Sequence, residues 1–210
     1  MTHQAGGAAH WDAIYATKRE DQVSWFQDQP GPSLDLLALI GARAGDAVID
    51  IGGGESRLVD GLLARGFADV SVLDLSATAL EAARARLGAA GERAHWIVAD
   101  MTTWSPTRVY DVWHDRAALH FLTDPADQRA YVARLRAALK PGGCAILATF
   151  APDGPEKCSG LPVRRHDAAS LAALLGPDFT LADTRRHDHT TPGGATQRFQ
   201  FSTFRRTETP

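Results

Sequence analysis

The order of strand and helix patterns predicts an α/β fold with a doubly wound, mostly parallel sheet that ends in an antiparallel hairpin. Three observations lead to this prediction. An apolar run at 47–51 leads through a glycine-rich turn into an amphipathic helix. The same alternation of strand and helix continues to Phe150, as a parallel sheet with helices on both faces requires. Beyond it, two β-rich segments flank Thr191-Pro192-Gly193-Gly194, a typical hairpin turn.

The elements are assigned from the spacing of apolar residues, every second position for strands and every third or fourth for helices. Predicted strands cover residues 47–51, 70–75, 96–99, 109–114, 144–150, 179–187 and 196–204. Predicted helices cover residues 56–65, 77–87, 126–139 and 168–175. Ser76 stands directly before the second helix, where a serine hydroxyl can cap the first turn.

The composition predicts one globular domain over residues 1–210. We expect the protein to be a monomer or a homodimer. The chain is 44% hydrophobic and 22% charged, and its formal net charge of −3 predicts no nucleic-acid partner. No run approaches the ~20 apolar residues of a membrane span, so no membrane partner is expected. Residues 1–9 look like a short disordered lead, not a signal peptide. Two cysteines, Cys144 and Cys158, form no disulfide framework, which predicts a cytoplasmic location.

The glycine-rich turn after the first strand predicts a nucleotide site. Glycines 52–54 allow a sharp turn and a close approach of the backbone to a ligand. Asp74, at the end of the next strand, is placed to accept hydrogen bonds from ribose hydroxyls. A dinucleotide is disfavoured because the third glycine of its fingerprint would fall at Arg57, and because Asp50 would repel a pyrophosphate. A Walker phosphate loop is excluded, since no Gly-Lys-Ser/Thr follows.

With these motifs, residues 48–150 resemble the core of the class I S-adenosylmethionine (SAM)-dependent methyltransferases, especially small bacterial methyltransferase-domain proteins. Asp50-Ile51-Gly52-Gly53-Gly54-Glu55-Ser56 is similar to the family motif D-x-G-x-G-x-[GS]. Lys140-Pro141-Gly142-Gly143 is similar to the L-[KR]-P-G-G turn before the fifth strand. The resemblance implies a Rossmann-like fold with the seven-stranded sheet of class I methyltransferases. It also implies SAM as the methyl donor and S-adenosylhomocysteine as the product.

The cofactor residues follow from the strand ends, because ligands of open α/β sheets bind beyond the carboxyl ends of the strands. The resemblance implies that Asp74 binds the ribose and that Asp100 with Met101 lies near the adenine. From their places at the strand ends, Leu75 and Met101 are expected to sandwich the adenine ring. Asp50 and the glycine backbone are expected to line the methionine portion. The full predicted set is Trp11, Tyr15, Asp50, Gly52, Gly53, Gly54, Arg57, Asp74, Leu75, Asp100, Met101 and His114.

The end of the fourth strand should face the transferred methyl group. His114, Asp115 and His120 are therefore the candidate catalytic bases, needed only if the nucleophile carries a proton. Alternatively, Asp115 and Arg116 form an ion pair that shapes the loop, and His114 only contacts the cofactor. The Asn/Asp-Pro-Pro-Tyr/Phe motif of methyltransferases acting on adenine bases or glutamine amides is missing, which disfavours those substrates.

Aromatic residues are concentrated before the core fold, within residues 1–30. Trp11, Ile14 and Tyr15 have helical spacing, which a helix packed against the sheet would explain. Alternatively, the segment is a lid whose rings attract a sulfonium and exclude water. Trp-Asp-x-x-Tyr followed by Ser-Trp-Phe also resembles small bacterial methyltransferases and the lysine methyltransferase-like branch of class I. In those proteins this segment covers the active site.

The acceptor is expected between this lid, the end of the fourth strand and the loop at 151–162, which is too rich in Pro and Gly for a strand or helix. The predicted substrate contacts are Trp25, Phe26, Arg116 and Cys158. Cys158 either contacts or reacts with a soft substrate, or is incidental. No metal is predicted, because His187 and His189 share a strand face without a third ligand.

The sequence therefore predicts a methyltransferase acting on a sulfur, oxygen or nitrogen nucleophile of a small-molecule acceptor. The second choice of acceptor is a protein lysine. Two other classes remain: a binding module that keeps the SAM pocket without chemistry, and an NAD-dependent oxidoreductase, which Asp50 and Arg57 disfavour.

Overall fold

The computed structural model describes residues 6–208. Its strands are β1 Ala47–Ile51, β2 Asp69–Asp74, β3 Ala94–Val98, β4 Tyr110–Arg116, β5 Leu139–Phe150, β6 Lys157–Cys158, β7 Leu161–Pro162, β8 Phe179–Thr190 and β9 Thr196–Arg206. Its α-helices are α1 Ala8–Thr17, α2 Gly31–Leu39, α3 Leu58–Ala64, α4 Ala77–Leu87, α5 Pro125–Ala138 and α6 Ala168–Leu175. Short 3₁₀ helices cover Glu20–Gln22, Gly88–Arg93 and Leu119–Phe121.

Seven strands form one sheet in the order β3-β2-β1-β4-β5-β9-β8. Strands β1 to β5 are parallel, whereas β9 is antiparallel to β5 and forms the terminal hairpin with β8. The predicted α/β class and C-terminal hairpin are confirmed. The strand order reverses between β1 and β4, and this reversal opens a crevice beyond their carboxyl ends.

Each face of the sheet carries its own apolar core, because successive side chains of a strand point to opposite faces. On one face, helices α2, α3 and α4 pack against residues such as Val48, Val72 and Ile146. On the other face, helices α5 and α6 pack against residues such as Ile49 and Trp113. No helix within residues 6–208 is long and apolar enough to cross a bilayer.

Several predicted boundaries were wrong. Strand β5 begins at Leu139, because its first residues extend the pairing with β4 and Lys140 forms an ion pair with Asp111 at 2.8 Å. Helix α2 was not predicted, although Leu34, Leu36 and Leu37 are buried in it. The 151–162 loop was predicted to lack strands, but β6 and β7, each two residues long, pair there as an antiparallel hairpin. Of the predicted disordered lead, residues 1–5 lie outside the described residues, whereas α1 already begins at Ala8.

Candidate functional site

A cavity of about 650 Å³ lies beyond the carboxyl ends of the central strands, at the reversal of strand order. This volume includes space that is open to solvent. Of the predicted cofactor residues, its wall contains Trp11, Tyr15, Gly52, Asp74, Leu75 and Met101. Of the predicted substrate residues, it contains Trp25, Arg116 and Cys158. The lid segment and the strand ends therefore meet at one cavity.

The glycine turn forms the floor of this cavity and accepts no larger residue. Gly52 has a φ of +64°, and a Cβ there would lie 2.5 Å from the Cβ of Ala118. Gly54 has a φ of +47°, and a Cβ there would lie 2.6 Å from the hydroxyl of Tyr15. Both positive φ values favour glycine. The backbone of the turn is held to β2, because the Gly52 amide donates to the carbonyl of Leu73 at 2.7 Å.

Asp74 supplies a carboxylate to the cavity wall. It is buried, and its Oδ1 accepts from the Ser76 amide at 2.8 Å. Burial raises the pKa of Asp74 to about 6, although backbone hydrogen bonds from Ser76 and Gly54 oppose the shift. Leu75 and Met101 line the same cavity. Asp74 therefore lies between the glycine turn and two apolar side chains.

Asp100, predicted near the adenine, follows β3 on the same side of the sheet. Its Oδ1 accepts from both the amide and the hydroxyl of Thr102, each at 2.7 Å. Its neighbours Ala99 and Met101 line the cavity, but Asp100 itself does not. The side chain holds the turn that brings Met101 to the cavity.

His114, predicted to face the cofactor and the transferred methyl group, does not reach the cavity. Its Nδ1 lies 2.7 Å from Oδ1 of Asp50, and its Nε2 lies 2.8 Å from the hydroxyl of Ser33 in α2. All three residues are buried. The register pairs Asp50 directly with His114, and helix α2 covers this face of the sheet. Asp50 thus lies beneath the turn, where a Cβ at Gly53 would be 2.9 Å from Asp50 Oδ2.

Asp115, a second candidate base, points to the opposite face of the sheet. Its carboxylate accepts from the amides of Ala118 and Leu119, at 3.0 and 3.1 Å, and from the hydroxyl of Tyr131 at 2.8 Å. Burial raises the pKa of Asp115 to about 6 against these hydrogen bonds. The alternative ion pair with Arg116 is not formed, because adjacent residues of a strand point to opposite faces. Asp115 instead caps the loop that follows β4.

His120, the third candidate base, is completely buried beside the cavity wall. Its ring packs against the rings of Phe121 and Phe150, at centroid distances of 4.5 and 4.8 Å. Neither ring nitrogen has a hydrogen-bond partner among residues 6–208. Burial, with smaller contributions from Arg116 and His166, lowers the pKa of His120 to about 3. A histidine with such a pKa is neutral at pH 7 but is a weak proton acceptor.

Arg116 lines the cavity and also a second cavity of about 350 Å³ next to it. Its Nη1 donates to the Trp25 carbonyl at 3.0 Å, and its guanidinium lies 5.0 Å from the ring centroid of Phe199. Burial lowers the pKa of Arg116 to about 10, so the group stays charged at neutral pH. The structure thus places one cation in the wall of the cavity.

Aromatic side chains of the N-terminal segment form part of the cavity wall. The ring of Trp11 lies 5.0 Å from that of Phe121 and 6.0 Å from that of Trp25. The ring of Tyr15 lies 6.2 Å from that of Trp25. Burial and the carboxylate of Asp74 raise the pKa of Tyr15, so its hydroxyl remains protonated. These residues do more than pack a helix on the sheet, because they line the cavity.

Polar contacts anchor this segment to the core. Asp12 of α1 accepts from the hydroxyl of Ser76 at 2.6 Å, at the start of α4. Glu20 forms ion pairs with Arg57 at 2.5 Å and with Arg86 at 3.2 Å. Arg57, predicted to bind cofactor, is thus occupied by an acid of the segment and does not line the first cavity. Phe26, predicted to contact substrate, lies 5.4 Å from the Arg57 guanidinium and lines the second cavity instead.

Cys158 of the β6–β7 hairpin lies in the cavity wall. Burial raises the pKa of its thiol to about 11, while the charge of Arg116 opposes the shift. The thiol is therefore protonated at neutral pH, and reactivity as a thiolate is disfavoured. The position agrees with a contact role for Cys158.

A family model described as "Methyltransferase domain" matches residues 48–143. The chain is 35% identical over 171 residues to trans-aconitate 2-methyltransferase of Methylobacterium radiotolerans. This alignment covers 80% of this chain and 57% of that protein. It is 29% identical over 153 residues to ubiquinone biosynthesis O-methyltransferase of Nitrosomonas europaea. That alignment covers 72% of this chain and 58% of the relative. The chain thus spans less than two thirds of the length of these relatives.

Solved structures agree with this family in fold. N-methyltransferase NodS from Bradyrhizobium japonicum superposes with a TM-score of 0.70 at 16% identity, covering 94% of this chain and 98% of that one. The 1,6-didemethyltoxoflavin-N1-methyltransferase of Burkholderia thailandensis superposes with a TM-score of 0.69 at 22% identity, and the superposition covers 96% of this chain and 84% of that one. The chain belongs to the class I SAM-dependent methyltransferases. The predicted family and its seven-stranded, Rossmann-like fold are confirmed.

In this class I methyltransferase chain, the sequence patterns missed three residues that shape the site. Phe121 completes the aromatic wall, Ser33 holds His114, and Glu20 holds Arg57. Phe121 could have been found from its place in the loop after the fourth strand. Ser33 and Glu20 carry no local signal, since their partners are distant in the chain. Among residues 6–208, no group of three or more His, Cys, Asp or Glu side chains is arranged to hold a metal ion.

Proposed function

We propose that this protein transfers the methyl group of SAM to a sulfur, oxygen or nitrogen nucleophile of a small-molecule acceptor and releases S-adenosylhomocysteine. One observation carries the proposal: a single cavity combines the Asp74 carboxylate, the glycine turn and a wall of aromatic rings. When bound, SAM supplies an electrophilic methyl group on a positively charged sulfur. The relatives that share most of this chain are named as methyltransferases, which supports the same activity here.

The cavity residues suit this cofactor. Oδ1 of Asp74 accepts from the Ser76 amide, and backbone amides of Gly54 and Leu75 also interact with the carboxylate. Because a carboxylate has about four acceptor sites, it keeps capacity for a ribose hydroxyl. Leu75 and Met101 provide apolar surface for a flat base. The turn at Gly52 and Gly54 packs directly against Ala118 and Tyr15 of the cavity wall, where a Cβ would clash.

The aromatic wall suits a sulfonium. Trp11, Tyr15, Trp25 and Phe121 present ring faces and edges to the cavity, and aromatic faces attract cations by about 0.5–2 kcal/mol. The buried Asp50 carboxylate beneath the turn adds negative potential on the same side. We infer that residues 6–30 act as a lid, anchored through Asp12 and Glu20, that excludes water from the site.

The protein's main contribution is alignment and not proton transfer. His114 and Asp115 are held in hydrogen bonds outside the cavity, and His120 is a weak base. Holding nucleophile and methyl group in line can supply roughly 7–11 kcal/mol of the barrier. We therefore infer an acceptor whose nucleophile needs no strong base at working pH, such as an anion or a neutral amine.

The other predicted classes receive less support. The named relatives refer to trans-aconitate and to ubiquinone biosynthesis, and nothing favours the protein-lysine alternative. A binding module without chemistry would not require an acceptor space beside the cofactor wall. We also propose a cytoplasmic protein, supported by two buried free cysteines, and a monomer or homodimer as its oligomeric state.

Titration calorimetry with SAM, S-adenosylhomocysteine and NAD tests the proposal. We expect binding of the two sulfur nucleotides and none of NAD. Asp74→Asn should weaken both by about 10- to 100-fold, because a hydrogen bond to a charged group contributes about 1.5–3 kcal/mol. Asp35→Asn, at an exposed position of α2, is the matched control and should bind as the unchanged protein does. Binding of NAD alone, or equal SAM affinity in Asp74→Asn, would contradict the assignment.

A further inference from the structure

Arg116 is a half-buried cation whose hydrogen-bonding capacity is mostly unused. Its Nη1 donates to the Trp25 carbonyl at 3.0 Å. Its Nε and Nη2 are both shielded from solvent and have no hydrogen-bond partner among residues 6–208. These two groups are the ones that a planar guanidinium presents side by side to a carboxylate. Buried donors without partners are rare in folded proteins, and each needs a physical explanation.

No carboxylate of the described chain neutralises this cation. Arg116 takes part in no ion pair within residues 6–208. The Asp50 carboxylate acts on Arg116 through its charge but forms no ion pair with it; its Oδ1 is hydrogen-bonded to His114, and its Oδ2 has no hydrogen-bond partner within residues 6–208. Asp115 points to the other face, and the Cys158 thiol beside Arg116 is protonated. Arg116 is thus a charged residue of the cavity wall, and two of its shielded donors have no hydrogen-bond partner within residues 6–208.

The surroundings of Arg116 also lack a competing acid on the acceptor side. Three histidines interact electrostatically with it, namely His120, His187 and His189. Burial lowers the pKa of each, and none of them contributes a negative charge. The face of the Phe199 ring, 5.0 Å from the guanidinium, stabilises the charge but supplies no acceptor for Nε and Nη2. The edge that carries Nε and Nη2 is thus the only strongly polar anion-binding group identified in this wall of the cavity among the described residues.

We propose that Nε and Nη2 of Arg116 bind a carboxylate of the methyl acceptor, so that the acceptor is a small carboxylic acid. This inference rests on the proposed function, because it names the substrate class of the same cavity. It also agrees with the weak bases around the site, since a carboxylic acid enters as an anion. Arg116 is then a specificity-determining residue that touches the acceptor and orients it toward the cofactor wall.

The test compares carboxylic acids with matched uncharged analogues. The unchanged protein, loaded with S-adenosylhomocysteine, is titrated with trans-aconitate, succinate and benzoate and with the corresponding amides. Methyl transfer from labelled SAM is followed for the same compounds. We expect binding and turnover of at least one acid and at least a tenfold weaker response to its amide.

Variants at position 116 link this preference to the guanidinium. In Arg116→Met, kcat/KM for the preferred acid should fall on the order of 100-fold or more, mostly through KM. Arg116→Lys should show an intermediate loss, because it keeps the charge but not the planar fork. SAM affinity should change less than about twofold in both variants, which also shows that they are folded. Arg84→Met, an exposed arginine paired with Glu92, is the matched control and should behave as the unchanged protein does.

Three results would overturn the inference. These are equal use of an acid and its amide, retention of acid affinity by Arg116→Met, and failure of every acid to bind a protein that binds SAM. Failure of the unchanged protein to bind SAM would instead overturn the proposed function, and this inference with it.

Discussion

Nδ1 of His114 lies 2.7 Å from Oδ1 of Asp50, at directly paired positions of β4 and β1. Because Nε2 of His114 also lies 2.8 Å from the Ser33 hydroxyl, the imidazole connects two strands and helix α2. The order acid–histidine–serine is that of a hydrolytic triad. Here all three residues are at most 2% exposed, so no substrate reaches the serine. The chain of hydrogen bonds instead holds helix α2 beneath the glycine turn.

His114→Phe is therefore expected to destabilise the fold. The substitution leaves the buried Asp50 carboxylate and the Ser33 hydroxyl without their partner, at a cost of about 3 kcal/mol. Urea unfolding followed by circular dichroism measures this difference. His95→Phe, at an exposed position 3.8 Å from Asp69, is the control and should change stability by less than about 0.5 kcal/mol. Equal stability of the two variants would show that the hydrogen-bonded chain is not structural.

Glu20→Gln is expected to loosen the lid. Glu20 bridges Arg57 and Arg86 while its side chain is 27% exposed, so we expect a loss of only about 1 kcal/mol of lid anchoring. SAM should then dissociate about fivefold faster, as measured by stopped-flow fluorescence of the cavity tryptophans. The difference should shrink at high salt, because screening already weakens the bridge in the unchanged protein. Glu92→Gln removes a more exposed pair with Arg84, and an effect of equal size there would exclude a specific role for Glu20.

Asp74 is expected to reduce the stability of the ligand-free protein at neutral pH. Burial raises its pKa from 3.8 to about 6, so folding favours the protonated form. The folded state therefore binds more protons than the unfolded state between these two values. Stability should fall as pH rises through this window, and the favourable contribution is complete only below about pH 4.

Asp74→Asn removes this titration while keeping an oxygen for the Ser76 amide. Near pH 7.5, we expect ligand-free Asp74→Asn to be more stable than the unchanged protein by about 1–2 kcal/mol, with the difference disappearing near pH 4. Thermal unfolding across this pH range measures the effect. A difference that stays constant with pH would mean that the carboxylate is not strained in the ligand-free cavity. This stability gain would accompany the loss of SAM affinity expected above.

The thiol of Cys158 is expected to be slow to react. Burial raises its pKa to about 11, so little thiolate is present at neutral pH. In a Cys144→Ala background, the thiol should react with iodoacetamide at least about 100-fold more slowly than in the urea-unfolded chain. Cys158→Ala should keep methyl transfer within about threefold, because contact alone is lost. Fast labelling with loss of activity would instead indicate a nucleophilic cysteine.

The fold and much of the cavity could be predicted because their signals are local. The strand before Gly52 and the strand ending in Asp74 are apolar runs followed by residues suited to turns. Parallel strands place such ends at one edge, so Asp74, Leu75 and Met101 reach the same cavity without knowledge of strand register. The aromatic residues of the N-terminal segment were recognisable from their helical spacing and their density.

The candidate bases could not be placed from their position in the chain. His114 and Asp115 are neighbours at the end of one strand, yet they point to opposite faces and meet different partners. Arg57 follows the glycine turn, as a cofactor residue would, but Glu20 of the lid segment binds it. Each outcome depends on a residue at least 16 positions away, such as Tyr131 for Asp115.

The sequence by itself determined the α/β fold, the methyltransferase family and the position of Asp74 at the end of its strand, because periodicity and turn chemistry act over a few residues. Only the tertiary structure decided what each polar side chain at the rim does. Strand register joined Asp50 to His114, and packing of the lid occupied Arg57. The same packing left Nε and Nη2 of Arg116, a residue of the cavity wall, without a hydrogen-bond partner within residues 6–208. Such pairings join residues that are distant in the chain and form only when the helices and strands pack together, so no local sequence pattern predicts them.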